Sequence, residues 1–492
     1  MASSDRFPGI SAWLWLANLA LLAALAVGCS AQEKAPAEGE AGALSEIELK
    51  LVVVDDRPMA AAIERLRAEW KARTGATLAI VQLTQDELLS AKNLGDGVDA
   101  VIYPSGQLGL LAERGWIVPL PADYATNREL AWSDTFELLQ VAETRWGQSP
   151  YAVPFGSTLL TCYYRSDLFD RFHKRPPATW QEYQALAEFF AKRENLPGIE
   201  LPENWSGTVE PLASGWAGRV LLARAAAYAR HRDHYSTLFN IDSMHPLIAG
   251  APFVRALEEL AAAARLSPDN LLELDPHGAR QIFLAGHAAL ALAVPGHATG
   301  DSQSDNVTMP ALGFSELPGA QQVYNVAGGV WENRKGEEST QVPLLCFAGR
   351  LGSITKETKQ VDAAFQLLAW LAGREWGAAV SSASRATTLY RRSQLRAPRP
   401  WLDPQTDQQA ASQYAETVRD ALSRQAYLFA LRIPGEEKYL AALDAAVHAA
   451  VRGEKSPTDA LSAAAGEWSK ITAELGLDAQ RNAYRSSVGL EP

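Results

Sequence analysis

The chain has 492 residues, 47% of them hydrophobic and 21% charged, and 57 acidic against 45 basic side chains set its net charge at −12. A length beyond one ordinary core predicts two lobes or domains. The composition argues against disorder and against multiple membrane spans, and an acidic balance with no Lys/Arg run argues against a nucleic-acid or anionic-lipid surface.

Residues Ile10 to Gly28 form an apolar run of 19 residues, a length that suits either a signal peptide or one membrane-crossing helix. The residues at its end distinguish the two. Leu25-Ala26-Val27-Gly28-Cys29 resembles the lipobox of bacterial lipoproteins, which implies removal of a signal peptide over 1–28 and lipidation of Cys29 as the membrane anchor. The segment departs from that pattern in that Arg6 stands alone beside Asp5, and Trp13 and Trp15 lengthen the apolar run. Ser30 to Ser45 is rich in Ala, Glu, Gly and Pro without apolar periodicity, so 29–45 is expected to be a flexible tether and the folded body to start near Glu46.

From there the pattern alternates. Ile47 to Val54 predicts a strand ending at Asp55-Asp56-Arg57, and Pro58 opens a helix whose Ile63, Leu66 and Trp70 share a face before Gly75 stops it. Thr77 to Leu83 and Asp99 to Tyr103 predict two more strands, the latter followed by Pro104-Ser105-Gly106 and a helix over Leu108 to Arg114 capped by Gly115. This order predicts an α/β lobe around a largely parallel sheet. Ligands bind beyond the carboxyl ends of such strands, which makes Asp55, Asp56, Tyr103 and Ser105 candidate binding residues. Capping explains the Asp pair equally well, and catalysis by it is the weakest reading, since neighbours on a strand end point apart.

Tyr151 to Tyr164 reads as an extended segment broken at Pro154-Phe155-Gly156, and Thr179 is placed to cap a helix with Gln181 and Glu182 in its first turn. The run "YAVPFGSTLLTCYYRSDLF…PPATWQEYQALAEFF" resembles the stretch where extracellular solute-binding proteins of the maltose-binding-protein class pass from their first lobe to their second. "SMHPLIAGAPFVRALEEL", "FLAGHAALALAVPG" (with Val294 where many members place Trp), "VPLLCFAGRLGSITKETKQVDAAFQLLAWLAGREW" and "YLFALRIPGEEKYLAALDAAVHAAVRGEKSPTDALSAAAGEWSKI" continue the likeness in order. The resemblance implies a two-lobed, type II periplasmic-binding-protein-like α/β fold, each lobe a mainly parallel sheet flanked by helices, joined by hinge segments. Lobe 1 would comprise 46–154 plus 350–390 and lobe 2 158–348 plus 392–492. It further implies capture of a small ligand, by preference a carbohydrate, between lobes that close on it, and delivery to the permease subunits of an ABC importer. The protein would be a monomer on the periplasmic side of a membrane, held by its lipid anchor. Other readings are a receptor for a sensor or assembly partner, and a surface hydrolase.

Aromatic faces stack on sugar rings. Trp205, Trp216 and Trp331 lie in Gly-bearing irregular segments and are candidate binding platforms, Trp216 foremost because of the resemblance; packing explains each as well. Phe155 and Ser157 at the first crossing, and Arg350 and Arg385 near the other two, complete the candidates. No His-Glu-x-x-His, Cys-x-x-Cys, Gly-x-Ser-x-Gly or Walker-type loop is present, so no catalytic residue, metal or cofactor is expected. His231 and His234 read as a solvated helix end rather than a metal pair. Cys162 and Cys346 lie in apolar runs and read as buried thiols, with a disulfide as the lesser alternative.

Overall fold

The structure is a computed structural model and describes residues 44–234, 236–296 and 309–491. Cys29, the leader and most of the tether lie outside the described residues. No helix among the described residues is long and apolar enough to cross a membrane.

Nine strands build two principal sheets: β1 (Glu48–Val54), β2 (Thr77–Leu83), β3 (Ala100–Pro104), β4 (Val153–Gly156), β5 (Thr161–Arg165), β6 (Ser206–Val209), β7 (Ala288–Ala293), β8 (Leu312–Glu316) and β9 (Arg350–Ile354). The first sheet has the order β2-β1-β3-β9-β4 and the second β8-β5-β7-β6. In β1 the period of two is plain. Leu49, Leu51 and Val53 pack with Met59, Ile63 and Trp70 in one core, while Val52 and Val54 join Tyr103 and Leu108 in the other. The expected first helix is two, Arg57–Arg65 and Arg67–Thr74, with Leu66 between them and Gly75 closing the second at φ 84°. Thr179 and Glu182 form the expected capping box on helix Trp180–Ala191.

Each sheet contains one reversed strand, which is why "mainly parallel" describes strand directions better than pairings. β9 is antiparallel to both β3 and β4, and β5 is antiparallel to both β8 and β7. Both come after a passage from the other sheet. The remaining strands point their carboxyl ends at the region between the sheets, so a chain arriving from there must enter the next sheet running the other way. Three passages connect the halves: β4 to β5, the segment before β9, and the stretch from helix Gly377–Ala383, which packs on β4, to helix Gln408–Ala421, which packs on β8. The first and third are bonded to each other, Thr388 N donating to Ser157 O (2.7 Å), and the second is held to the end of β3 by Ser105 N donating to Gly349 O (2.7 Å).

Cys162 and Cys346 are both free and buried, and burial pushes both thiols up, that of Cys162 to about 12. The histidine pair departs from expectation. His231 is fully buried, its Nδ1 accepting from Asp233 N (3.2 Å) and its Nε2 facing Glu332 (3.3 Å), because the ribbon Gln322–Asn325/Val330–Asn333 covers it. No metal-binding group of His, Cys, Asp and Glu occurs among the described residues.

Candidate functional site

A cavity of about 400 Å³ opens between the sheets. Its first-sheet side is Asp55 to Pro58 after β1, Arg350 at the start of β9, and Ser384 to Ala386; its second-sheet side is Trp216 after β6, Asp275 to His277 and Arg280, and Val294 to Gly296 after β7. Thr158, in the first passage, lies between. A recess of about 740 Å³ around Asn93 to Asp99 and Trp116 is larger, but it sits at the opposite ends of the central strands of the first sheet, before β1 and β3 and after β9, and receives nothing from the second.

The first-sheet wall is held by a knot around Asp56. Its Oδ1 caps helix Arg57–Arg65 by accepting from Met59 N (3.1 Å), and its Oδ2 accepts from Arg350 Nε (2.8 Å) and from the Ser384 hydroxyl. Arg350 also donates to Asp55 O (2.9 Å) and Ala348 O (2.7 Å). Asp56 and Arg350 are both buried, so one ion pair ties the end of β1, the start of β9 and the third passage together. Asp55, in the left-handed region at φ 51°, is exposed where its neighbour is buried.

The second-sheet wall is organised by Arg280. It pairs with Asp403 (2.6 Å) and donates to the Gly296 carbonyl, fixing the Val294-Pro295-Gly296 turn at the carboxyl end of β7. Asp275 caps helix Pro276–Leu284 through Gly278 N (2.7 Å), with Pro276 in the first turn. Burial, and then the charges of Arg280 and Arg385, hold His277 below its ordinary value, so it is neutral near pH 7. Trp216 precedes helix Ala217–Ala229 and packs edge-on against Phe347 with 6.2 Å between ring centres. Three helix amino termini therefore meet an apolar ring and a set of paired ions, an arrangement suited to hydroxyl-bearing ligands.

Of the residues singled out from sequence, Asp55, Asp56, Trp216, Arg350 and Arg385 line this cavity. The other six do not. Tyr103 is buried with its hydroxyl bonded to Ser353 Oγ (2.7 Å), and Phe155 is buried in the core beside Gly352. Ser105 and Ser157 are buried as well, because the carboxyl end of β3 is covered by the contact between Gln107 and Glu436. Trp205 precedes β6 and so sits at its far end, donating to Phe190 O (2.8 Å). Trp331 packs between Tyr228 and Tyr324 beyond the carboxyl end of helix Ala217–Ala229, about 18 Å of helix from Trp216. Asp275, His277, Arg280, Thr158 and Ser384 were not anticipated; the Asp275-Pro276 cap signal was the one local cue that a helix opens there.

A family model described as bacterial extracellular solute-binding protein matches residues 56–378. No curated protein matches the sequence significantly. Among solved structures, an ABC transporter solute-binding protein from Agrobacterium radiobacter in complex with ribitol is 21% identical, with 87% of this chain and 99% of that one covered at a TM-score of 0.62. The sugar-binding protein MalE from Xanthomonas citri is 17% identical over 87% and 98% of the two chains, with a TM-score of 0.64. A solute-binding protein from Thermotoga lettingae bound with alpha-D-tagatose is 15% identical over 86% and 99%, with a TM-score of 0.61.

Proposed function

Since the chain belongs to the bacterial extracellular solute-binding protein family, we propose that the cavity between its sheets captures a sugar or polyol and that an ABC importer collects the ligand. The observation that carries this reading is the composition of the cavity: both sheets contribute to it, three helix amino termini open on it, and Trp216 supplies one aromatic face. A volume of about 400 Å³ suits a ligand of monosaccharide or disaccharide size and lies within the usual range for small-molecule sites. In this reading 46–154 plus 350–390 and 158–348 plus 392–492 are the moving lobes, and the three passages are their hinge. Binding is the whole activity, with no bond made or broken. The mature protein is a monomer tethered through lipidated Cys29, which keeps it beside its permease.

The test is a thermal-shift panel of polyols, pentoses, hexoses and disaccharides. A ligand bound by the native state alone, present at a hundredfold its Kd, stabilises it by about 2.7 kcal/mol. Silence across that panel, together with a shift from amino acids, peptides or metal chelates, would refute the carbohydrate assignment. The anchor has its own test: Cys29→Ser should move the protein from the membrane to the soluble fraction, and unchanged membrane association refutes lipidation at Cys29.

A further inference from the structure

Two glutamates are buried where the halves of the molecule touch. Glu143 ends the π-helical turn Leu139–Glu143 ahead of β4, is 1% exposed, and has no hydrogen-bond partner on either carboxylate oxygen among the described residues. It is faced by Ser105 after β3, Ser157 in the first passage, the backbone and thiol of Cys346 before the second, and Arg432. Both serine hydroxyls are buried with no other partner among the described residues, so they are the donors within reach of the Glu143 carboxylate. Arg432, the cation acting on Glu143 among the described residues, donates Nη1 to the carbonyls of Ala142 (3.3 Å) and Glu143 (3.2 Å) and Nη2 to that of Ser487 (2.6 Å), and its Nε is buried without a partner. Glu436, 4% exposed at the start of helix Glu436–Val451, accepts from Gln107 Nε2 (2.8 Å) across the same contact and is faced by Arg219 and Glu437. The approach is close: a Cβ on Gly106 would stand 2.8 Å from the Glu436 carboxylate, and one on Gly109 2.0 Å from Arg432 O.

A carboxylate buried this deeply, with neutral hydroxyl and amide donors and no cation bonded to it directly among the described residues, is costly, whereas the neutral acid is tolerated there. Burial accordingly pushes Glu143 up to about 7 and Glu436 up to about 8. We propose that Glu143 and Glu436 form a proton-dependent latch: as neutral acids they keep the two halves packed, and their ionisation loosens the contact. The latch acts between protein groups and holds whether or not the solute is a sugar.

The sign comes from linkage. Both groups hold protons in the packed state above the ordinary carboxyl value of 4.5, so the packed state loses ground as pH rises through about 7 and about 8. The test is pulse alkylation of the whole protein with N-ethylmaleimide, read by mass spectrometry at Cys346, which faces Glu143, relative to Cys162, buried on β5. The ratio cancels the general rise of thiolate with pH. It should climb about tenfold between about pH 6 and about pH 8.5 in the wild type, and climb less in Glu143→Gln and in Glu436→Gln, each of which keeps one titrating acid. A flat wild-type ratio, or the same climb in all three proteins, overturns the latch. If Glu143→Gln does not fold, Glu436→Gln decides alone, because an undiminished climb there overturns it as well.

Discussion

Asp56 concentrates more of the architecture than any other single side chain of the site. It caps a helix, accepts from Arg350, and receives the Ser384 hydroxyl, all while buried. Asp56→Ala should cost about 3–5 kcal/mol in denaturant unfolding, since it strands the Arg350 charge and removes an N-cap together. A loss below about 1 kcal/mol would show that Arg350 is carried by its carbonyl partners instead. Trp216 is the complementary case. It is half-buried, with Phe347 edge-on and the Arg219 guanidinium 5.6 Å from its ring centre, so Trp216→Ala should lower stability by at most about 1.5 kcal/mol, while weakening binding of the responding sugar or polyol at least about tenfold by calorimetry. The opposite pattern would make Trp216 a packing residue. At this scale the sequence marks strand ends well and burial poorly. Asp55 and Asp56 were legible because a helix signal comes directly after a strand signal, whereas Tyr103 and Ser105 occupy the same position on β3 and are covered by a helix more than three hundred residues later in the chain. That covering contact has no local signature.

Among the elements, the passages between sheets are the most tightly specified. Gly156 has φ 128°, and a Cβ on Gly349 would lie 2.6 Å from Gly156 O and 2.8 Å from Ser157 Cα, so two passages lie backbone against backbone. Gly349→Ala should therefore destabilise by about 1–3 kcal/mol through overpacking and shift any ligand-induced closure seen by small-angle scattering. Equal stability and closure would show that the backbones separate without cost. Helices and strands with strong local signals were legible in the sequence, including the Thr179 capping box and the strands Glu48–Val54 and Thr77–Leu83. The reversal of β5 and β9 was not, because pairing direction depends on which side a chain enters a sheet and leaves the period of two unchanged.

For the whole molecule, the buried acids set the direction of pH dependence. Glu143 and Glu436 contribute stability that is fully present below the ordinary carboxyl value of 4.5 and is lost as pH rises through about 7 and about 8. His277, held below 6.5, acts the other way, withdrawing stability only as pH falls below that value. Above about pH 6.5 the imidazole no longer contributes and the acids act alone, so the melting temperature falls from there to about pH 8, and Glu143→Gln with Glu436→Gln should flatten that limb. A melting temperature that rises over this interval would reverse the assignment. Domain number and class were legible from length and alternation, and the family likeness ordered the halves. The cavity was only half legible, because its second wall depends on Arg280 reaching Asp403 and Gly296 across the fold.

The reversed strand β9 also has a consequence in time. The Tyr103 and Ser353 hydroxyls that meet across β3 and β9 are 250 residues apart, and until β9 arrives β3 has a bare edge and β4 has no neighbour in its sheet. Pairing at such separation is slow, because loop-closure entropy is lost before any contact compensates for it. A chain made from its amino end thus holds its first half incomplete until its second half exists.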